Sequence, residues 1–182
     1  MGYWSSESGR GGSLEEMVNL TNEEYRAKGL AVIQKVPTPI TPVRMNRATG
    51  NIELAYFEKK STVDYMGVVQ GIAVAFDAKE TSRKNLPLDN IHPHQIDFMR
   101  EFEMQRGAAF LLVRFSVNGE MFFLPFERLL AFWERAAEGG RKSIPLEYFR
   151  DGLAIGRQGR AFVHYLGALD EYLISKEKGR GR

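Results

Sequence analysis

The segment Gly71-Ile-Ala-Val-Ala-Phe-Asp-Ala-Lys-Glu80 decides the fold. Read with the two-residue period of an extended strand, Ile72, Val74, Phe76 and Ala78 share one face, while Ala73, Ala75, Asp77 and Lys79 share the other. The first face is wholly apolar. The second pairs two small residues with a carboxylate and an ammonium group and leaves room for something bulky to approach them. An acid and an amine at this spacing suit phosphodiester hydrolysis. The acid holds a divalent cation, while the lysine orients water and offsets charge developing on the phosphorane. The same two side chains would equally make an ordinary ion pair on an edge strand, and the residues alone leave that alternative open.

Spacing by itself carries no weight, because a chain with 23 acids and 9 lysines in 182 residues contains about one acid-x-Lys match by chance. There are two, Glu58-Lys-Lys60 and Asp77-Ala-Lys79. Only the second ends an apolar strand, and it directly follows another strand, Thr62 to Gln70, that carries Asp64. Paired antiparallel through Gly71, these strands would bring Asp64 and Asp77 close enough to share a hard, oxygen-seeking cation such as Mg²⁺.

Upstream, Ser13-Leu-Glu-Glu16 fits a helix capping box. Leu14, Met17, Leu20 and Tyr25 continue an apolar face to a stop at Gly29. Leu30 to Val36 reads as a buried strand. Pro37-Thr-Pro-Ile-Thr-Pro42 cannot enter a central strand, so it is looped or extended. Ala48-Thr-Gly-Asn51 is a turn, and Glu53 to Glu58 a further strand. Downstream, Pro93 opens a helix closed by Arg106-Gly107, and Ala108 to Ser116 is an apolar strand. Asn118-Gly119 marks a two-residue hairpin into Glu120 to Leu124. Helices follow at about 126–137 and 160–174. The order αββββαββαα gives an α/β fold with a mixed sheet flanked by helices.

Composition agrees with a single folded domain. The chain is 43% hydrophobic and 12% aromatic, with 25 Lys+Arg against 23 Asp+Glu for a net charge of +2. With no cysteine, disulfide frameworks, zinc ribbons, iron–sulfur clusters and thiol catalysis are excluded. No signal peptide or bilayer-length apolar run is visible, so a cytoplasmic location without membrane attachment is expected. A net +2 is no nucleic-acid signature, but residues 61–120 hold 8 acids against 6 bases, an acidic middle suited to cation binding. Residues 1–12 are expected to be flexible, 13–174 to form the single domain, and the basic stretch 175–182 to be disordered.

Several longer matches point to one family. Ser61-Thr-Val-Asp-Tyr-Met-Gly67, Phe76-Asp-Ala-Lys-Glu-Thr81, His92-Pro-His-Gln-Ile96, Val113-Arg-Phe-Ser116 and Gly139-Gly-Arg-Lys-Ser-Ile144 resemble, in order, the RecU family of bacterial Holliday junction resolvases. So do Pro37-Thr-Pro39 and Ala55-Tyr-Phe57. This family is a branch of the PD-(D/E)XK nucleases. The resemblance implies a restriction-endonuclease-like mixed sheet flanked by helices, with a stalk at about 40–57 that enters the centre of a four-way junction. It makes Asp64 and Asp77 carboxylate ligands of Mg²⁺ (with Mn²⁺ as a substitute), Thr62 and Gln95 further members of the metal shell, Lys79 the transition-state stabiliser and Glu15 a helix acid joining the site. Val63 stands where the motif name has proline, and Asp77 where many relatives have glutamate.

Arg44, Arg47, Lys59 and Lys60 around the stalk, and Arg141 and Lys142 in the 139–143 loop, are candidate phosphate contacts. The 139–143 loop lacks the glycine a phosphate loop needs before Lys142, so no nucleotide cofactor is expected. His92 and His94 read as helix-end residues rather than a zinc pair. Phe122, Phe123, Phe126, Phe132 and Trp133 read as core or subunit interface. The function expected is resolution of Holliday junctions by Mg²⁺-dependent hydrolysis, carried out by a homodimer with a recombinase as a further partner. The alternatives are a nuclease on linear duplex DNA and a non-catalytic junction-binding recombination factor.

Overall fold

The computed structural model describes residues 12–37, 40–57 and 62–180. Its core is a six-stranded sheet in the order β1-β4-β5-β7-β8-β10, in which β5 and β7 run parallel and all other pairs are antiparallel. The strands are β1 (Val32–Lys35), β4 (Tyr65–Val69), β5 (Ile72–Thr81), β7 (Ala108–Phe115), β8 (Glu120–Pro125) and β10 (Leu153–Ile155). Between β1 and β4 the chain forms a hairpin with a sheet of its own, β2 (Ile40–Met45) with β3 (Ile52–Phe57). A short ribbon pairs β6 (Asn85–Pro87) with β9 (Ser143–Pro145). Helices α1 (Leu14–Ala27) and α5 (Tyr165–Arg180) contribute to a core on one side of the sheet. Helices α2 (Pro93–Met104), α3 (Phe126–Ala137) and α4 (Leu146–Arg150) contribute to a second core on the other.

The two faces of the 71–80 segment divide between these cores. Ile72, Val74, Phe76 and Ala78 join the α1/α5 side, while Ala75 packs on the α2 side. Tyr65, Phe76, Phe110 and Phe123 stack successively across four strands, with centroids 4.9, 4.8 and 4.3 Å apart. This row fixes register, because a slip of one residue would carry Asp77 to the opposite face.

The first helix is capped as its sequence implies, with Ser13 Oγ accepting the Glu16 amide at 3.3 Å and Glu16 Oε2 accepting the Ser13 amide at 3.0 Å. Long-range bonds then seat it. Glu80 Oε2 accepts the Leu14 amide at 3.1 Å, and the Arg114 guanidinium donates to the Gly12 carbonyl at 2.9 Å. At its other end Thr21 Oγ1 accepts the Val163 amide at 3.1 Å, and the Tyr165 hydroxyl donates to Asn22 Oδ1 at 2.6 Å. Val18, Thr21 and Asn22 therefore join Leu14 and Tyr25 in the buried stripe, and Leu20 is exposed.

Four local expectations are corrected. β1 is a short edge strand with Val32 61% exposed, not a buried strand, because only β4 covers it. The β7–β8 connection spans four residues, with Phe115 opposite Glu120 and a positive φ at Gly119 but not at Asn118. Gly12, expected in the flexible N-terminus, is buried and its carbonyl accepts from Arg114, so it packs with the domain. The last helix runs to Arg180, and residues 175–180 are helical rather than disordered: Lys176 bonds Glu103 at 2.6 Å and the Tyr172 hydroxyl at 3.2 Å. The ribbon, α4 and β10 had no sequence counterpart, being three to five residues long. Met1 to Gly11, Lys59, Lys60 and residues 181–182 lie outside the described residues. Among the described residues no helix is long and apolar enough to cross a membrane.

Candidate active site

Asp77 sits late in β5, a strand flanked on both sides by others, and its side chain is wholly buried. An edge-strand ion pair is thereby excluded. Both carboxylate oxygens are engaged. Oδ1 accepts the backbone amide of Asp64 at 2.6 Å, and Oδ2 accepts Lys79 Nζ at 3.0 Å together with the amide nitrogen of Gln95. The Tyr65–Phe76 pairing of β4 with β5 brings Asp64 opposite Asp77, one step beyond the last registered pair.

Asp64 and Thr62 precede β4 rather than lying in it, on a bend that leaves Asp64 half-buried and Thr62 exposed. The Asp64 carbonyl accepts the Val36 amide at 2.8 Å, which fixes the bend against the end of β1. Burial pushes the Asp64 carboxyl above its usual range, and the Asp77 charge pushes it further. Lys79 and a hydrogen bond from the Ala78 amide pull it back, and Glu15 adds a smaller upward push.

Gln95 stands at the third position of α2, behind Pro93, and is 5% exposed. Its Oε1 accepts the His92 amide at 3.0 Å and Lys79 Nζ at 3.4 Å. In this arrangement it turns a donor toward Asp77 and spends its oxygen on Lys79 and the helix start. It steadies the acid–lysine pair. Glu15, in the first turn of α1, is exposed and pairs with Lys35 at 2.5 Å. The buried Tyr65 hydroxyl ties that turn to the sheet, donating to Asn19 Oδ1 at 3.0 Å and to the Glu15 carbonyl at 3.4 Å. Lys35, Tyr65 and Asn19 were not singled out in the sequence. Tyr65 follows Asp64 directly, and that adjacency was the available signal.

The carboxylates of Asp64 and Asp77 and the nearby Glu15 face two ammonium groups, Lys79 and Lys35. Among the described residues no three or more His, Asp or Glu side chains are grouped so that they could hold a metal ion. Two carboxylates with neutral oxygens nearby suit Mg²⁺, which keeps several of its waters. The Asp64 carboxyl is raised first by burial and only then by the Asp77 charge, and a divalent cation would offset that second, smaller part.

Of the candidate phosphate contacts, Arg44 lies on β2 and Arg47 in the turn of the β2–β3 hairpin, both exposed. Asn46 shapes that turn, its Oδ1 accepting the amides of Ala48 and Thr49 at 3.0 and 3.2 Å. Arg141 and Lys142 are exposed just before β9, far along the chain from the hairpin. Phe122, Phe123 and Phe126 are core, and Phe132 and Trp133 pack against it.

A mixed sheet flanked by helices, with Asp77 and Lys79 on a central strand and Asp64 opposite Asp77 just ahead of the neighbouring strand, places the chain in the restriction-endonuclease-like fold class. Within that class the assignment is specific. A family model described as RecU, Recombination protein U, matches residues 9–171, and the chain belongs to this family. It is 41% identical over 173 residues to a Holliday junction resolvase RecU of Geobacillus sp. (strain WCH70), covering 91% of this chain and 85% of the relative. It is 42% identical over 170 residues to one of Streptococcus pneumoniae (strain Taiwan19F-14), covering 91% and 85%. Among solved structures, the Archaeoglobus fulgidus Holliday junction resolvase Hjc matches with a TM-score of 0.44 and 11% identity, over 75% of this chain and 94% of that one.

Proposed function

We propose that this chain is a structure-selective endodeoxyribonuclease that resolves Holliday junctions in recombination and repair. The observation that carries the reading is the Asp64–Asp77–Lys79 set at the foot of a basic hairpin, in a chain of the RecU family.

Asp64 and Asp77 would hold Mg²⁺, with Thr62 and Gln95 completing or steadying the metal shell. That ion supplies Lewis acidity, generating a nucleophile from water near neutral pH and drawing charge from the phosphoryl oxygens. Mn²⁺ is the natural substitute. The protein's own contribution is preorganisation. The Asp64 amide and Gln95 hold the Asp77 carboxylate in one orientation, so it need not reorient as charge develops. Lys79 is 15% exposed and anchored by both Asp77 and Gln95, so its ammonium meets a phosphate from a fixed position. Glu15, held by Lys35 at the open side, would join the site through water.

The hairpin Ile40–Phe57 acts as the stalk, with Arg44 and Arg47 on phosphates at the crossover. Lys59 and Lys60 belong to the same reading by their place in the sequence just after it, and Arg141 and Lys142 by their exposed charge. A four-way junction has approximate two-fold symmetry and needs two matched cuts, so the active assembly is a homodimer, working beside a recombinase in the cytoplasm. The test is a synthetic four-way junction in Mg²⁺. Asp77→Ala should bind it and leave it uncut, and cleavage at the unmodified rate would remove the site assignment. An excess of unbranched duplex should compete poorly.

A further inference from the structure

The proposed chemistry leaves Arg83 and Lys84 without a role, and the fold gathers them with Arg141 and Lys142 on the β6–β9 ribbon. Arg83 and Lys84 lead into β6, and Arg141 and Lys142 lead into β9; all four are exposed. None of them makes an ion pair with another described residue. The stretches 81–88 and 139–146 hold no acid, though Glu80, Asp89, Glu138 and Glu147 bound them.

The backbone carrying these cations is rigid. Leu86, Leu88, Ile144 and Leu146 are buried in the α2-side core. Thr81 Oγ1 donates to the Asn85 carbonyl and accepts the Arg83 amide, each at 3.2 Å. The Lys84 carbonyl accepts the Leu146 amide and the Lys142 carbonyl the Leu88 amide, each at 3.1 Å. Ser143 Oγ accepts from Asn85 at 3.2 Å and from Arg141 Nε at 3.0 Å. Lys84 and Lys142 thus mark opposite ends of the ribbon, about four residues or 13 Å of extended chain apart. That span covers roughly four base pairs of duplex rise.

Its position gives the ribbon a role. The hairpin leaves the sheet through β1 and β4, on one side of Asp77, while the ribbon leaves it from the end of β5, four residues past Asp77. Because Tyr65 at the start of β4 pairs with Phe76, both projections leave the sheet at the end that carries the two carboxylates. We infer that the ribbon binds backbone phosphates of a duplex arm of the junction, with Arg83 and Lys84 joining Arg141 and Lys142 as contacts. The hairpin holds the crossover, the ribbon holds the arm, and the strand between them crosses Asp64 and Asp77. This inference rests on the junction-resolving reading.

The test uses the full chain in EDTA, with Arg83→Gln/Lys84→Gln, Arg141→Gln/Lys142→Gln and, as reference, Arg44→Gln/Arg47→Gln. Binding is measured across salt on a four-way junction with long arms and on one trimmed to about half a helical turn per arm. Each ribbon variant should lower the slope of log affinity against log salt by about 2 on the long-armed junction, one unit per lost phosphate contact, and change little on the trimmed one. Ribbon variants that bind like the unmodified chain, while the hairpin variant weakens, overturn the ribbon. Equal losses on both junctions overturn its assignment to an arm. If the unmodified chain prefers neither junction over linear duplex, the junction-resolving reading itself fails.

Discussion

The backbone amide of Asp64 donates to Oδ1 of Asp77 at 2.6 Å, so the two acids of the site are tied together by main chain, not merely brought near. Neither can shift without the other. The surrounding polar groups inherit that rigidity, and the expected effects of substitution follow from it.

Among the described residues Lys79 is the one ammonium group bonded to the buried Asp77 carboxylate. Lys79→Met would leave that charge with only two uncharged donors. Breaking a buried pair on one side costs about 3–5 kcal/mol, so urea unfolding should show a loss of that order. Junction cleavage should fall about 10²–10³-fold, the scale for removing one preorganised stabilising group. A variant as stable and as active as the parent would show that Lys79 neither balances Asp77 nor stabilises the transition state.

Asp64 works against stability in the absence of metal. Its carboxyl is raised by burial and by Asp77, so it binds a proton more tightly folded than unfolded. That contribution is full below the usual carboxylate range and is lost as pH rises through the raised value. At pH 7 in EDTA, Asp64→Asn should therefore unfold at a higher temperature than the parent, and the difference should vanish in acid. Mg²⁺ should stabilise the parent and not the variant. Thermal melts with and without Mg²⁺ test both.

Gly67 on β4 has no room for a side chain. A Cβ there would lie 2.1 Å from the Val32 carbonyl oxygen and 2.7 Å from Ile33 Cα, both backbone atoms that cannot rotate away. Gly67→Ala should push β1 off the sheet, cost about 2–3 kcal/mol, and remove hydrogen-exchange protection from β1 before the rest. Gly50→Ala is the contrast: it meets no atom within 4 Å, and its positive φ alone should cost about 1 kcal/mol.

Tyr25 sets an alkaline limit. Burial pushes its hydroxyl up to about 12, and burial also raises Tyr65, Tyr165 and Tyr172. Above pH 10 the unfolded chain releases protons that the folded one keeps, so stability falls by up to about 1.4 kcal/mol per pH unit for each such group. Tyr25→Phe should make that decline shallower. At neutral pH it should cost about 1 kcal/mol, through the lost 3.0 Å bond to His164. Urea midpoints between pH 8 and 11 separate the two effects.

The strand pair that carries the acids was legible because Gly71 allows a tight turn, here with a positive φ, and because Asp77 interrupts an otherwise apolar run. The capping box at Ser13 and the helix opening at Pro93 were legible for the same reason, since each depends on residues adjacent in sequence. Gln95 shows where such reading stops. Its place beside the acids followed from the family resemblance, but which end of its amide faces Asp77 depends on Lys79 and on the His92 amide, and no sequence pattern encodes that. The ribbon escaped notice because three-residue strands have no measurable periodicity, and it is held by bonds across 58 residues of chain. The edge position of β1 likewise depends on the order of strands in space.

The seating of α1 also bears on how much of the fold must form before the site is whole. That helix is fastened at one end by Glu80 and Arg114 and at the other by Val163 and Tyr165. The Asp64–Asp77 couple needs only the pairing of β4 with β5, which are neighbours in sequence, whereas the far end of α1 is tied by bonds that span 142 and 143 residues. Contacts that close such long loops form late, so a partly folded chain holds its acid pair before its first helix is fully seated.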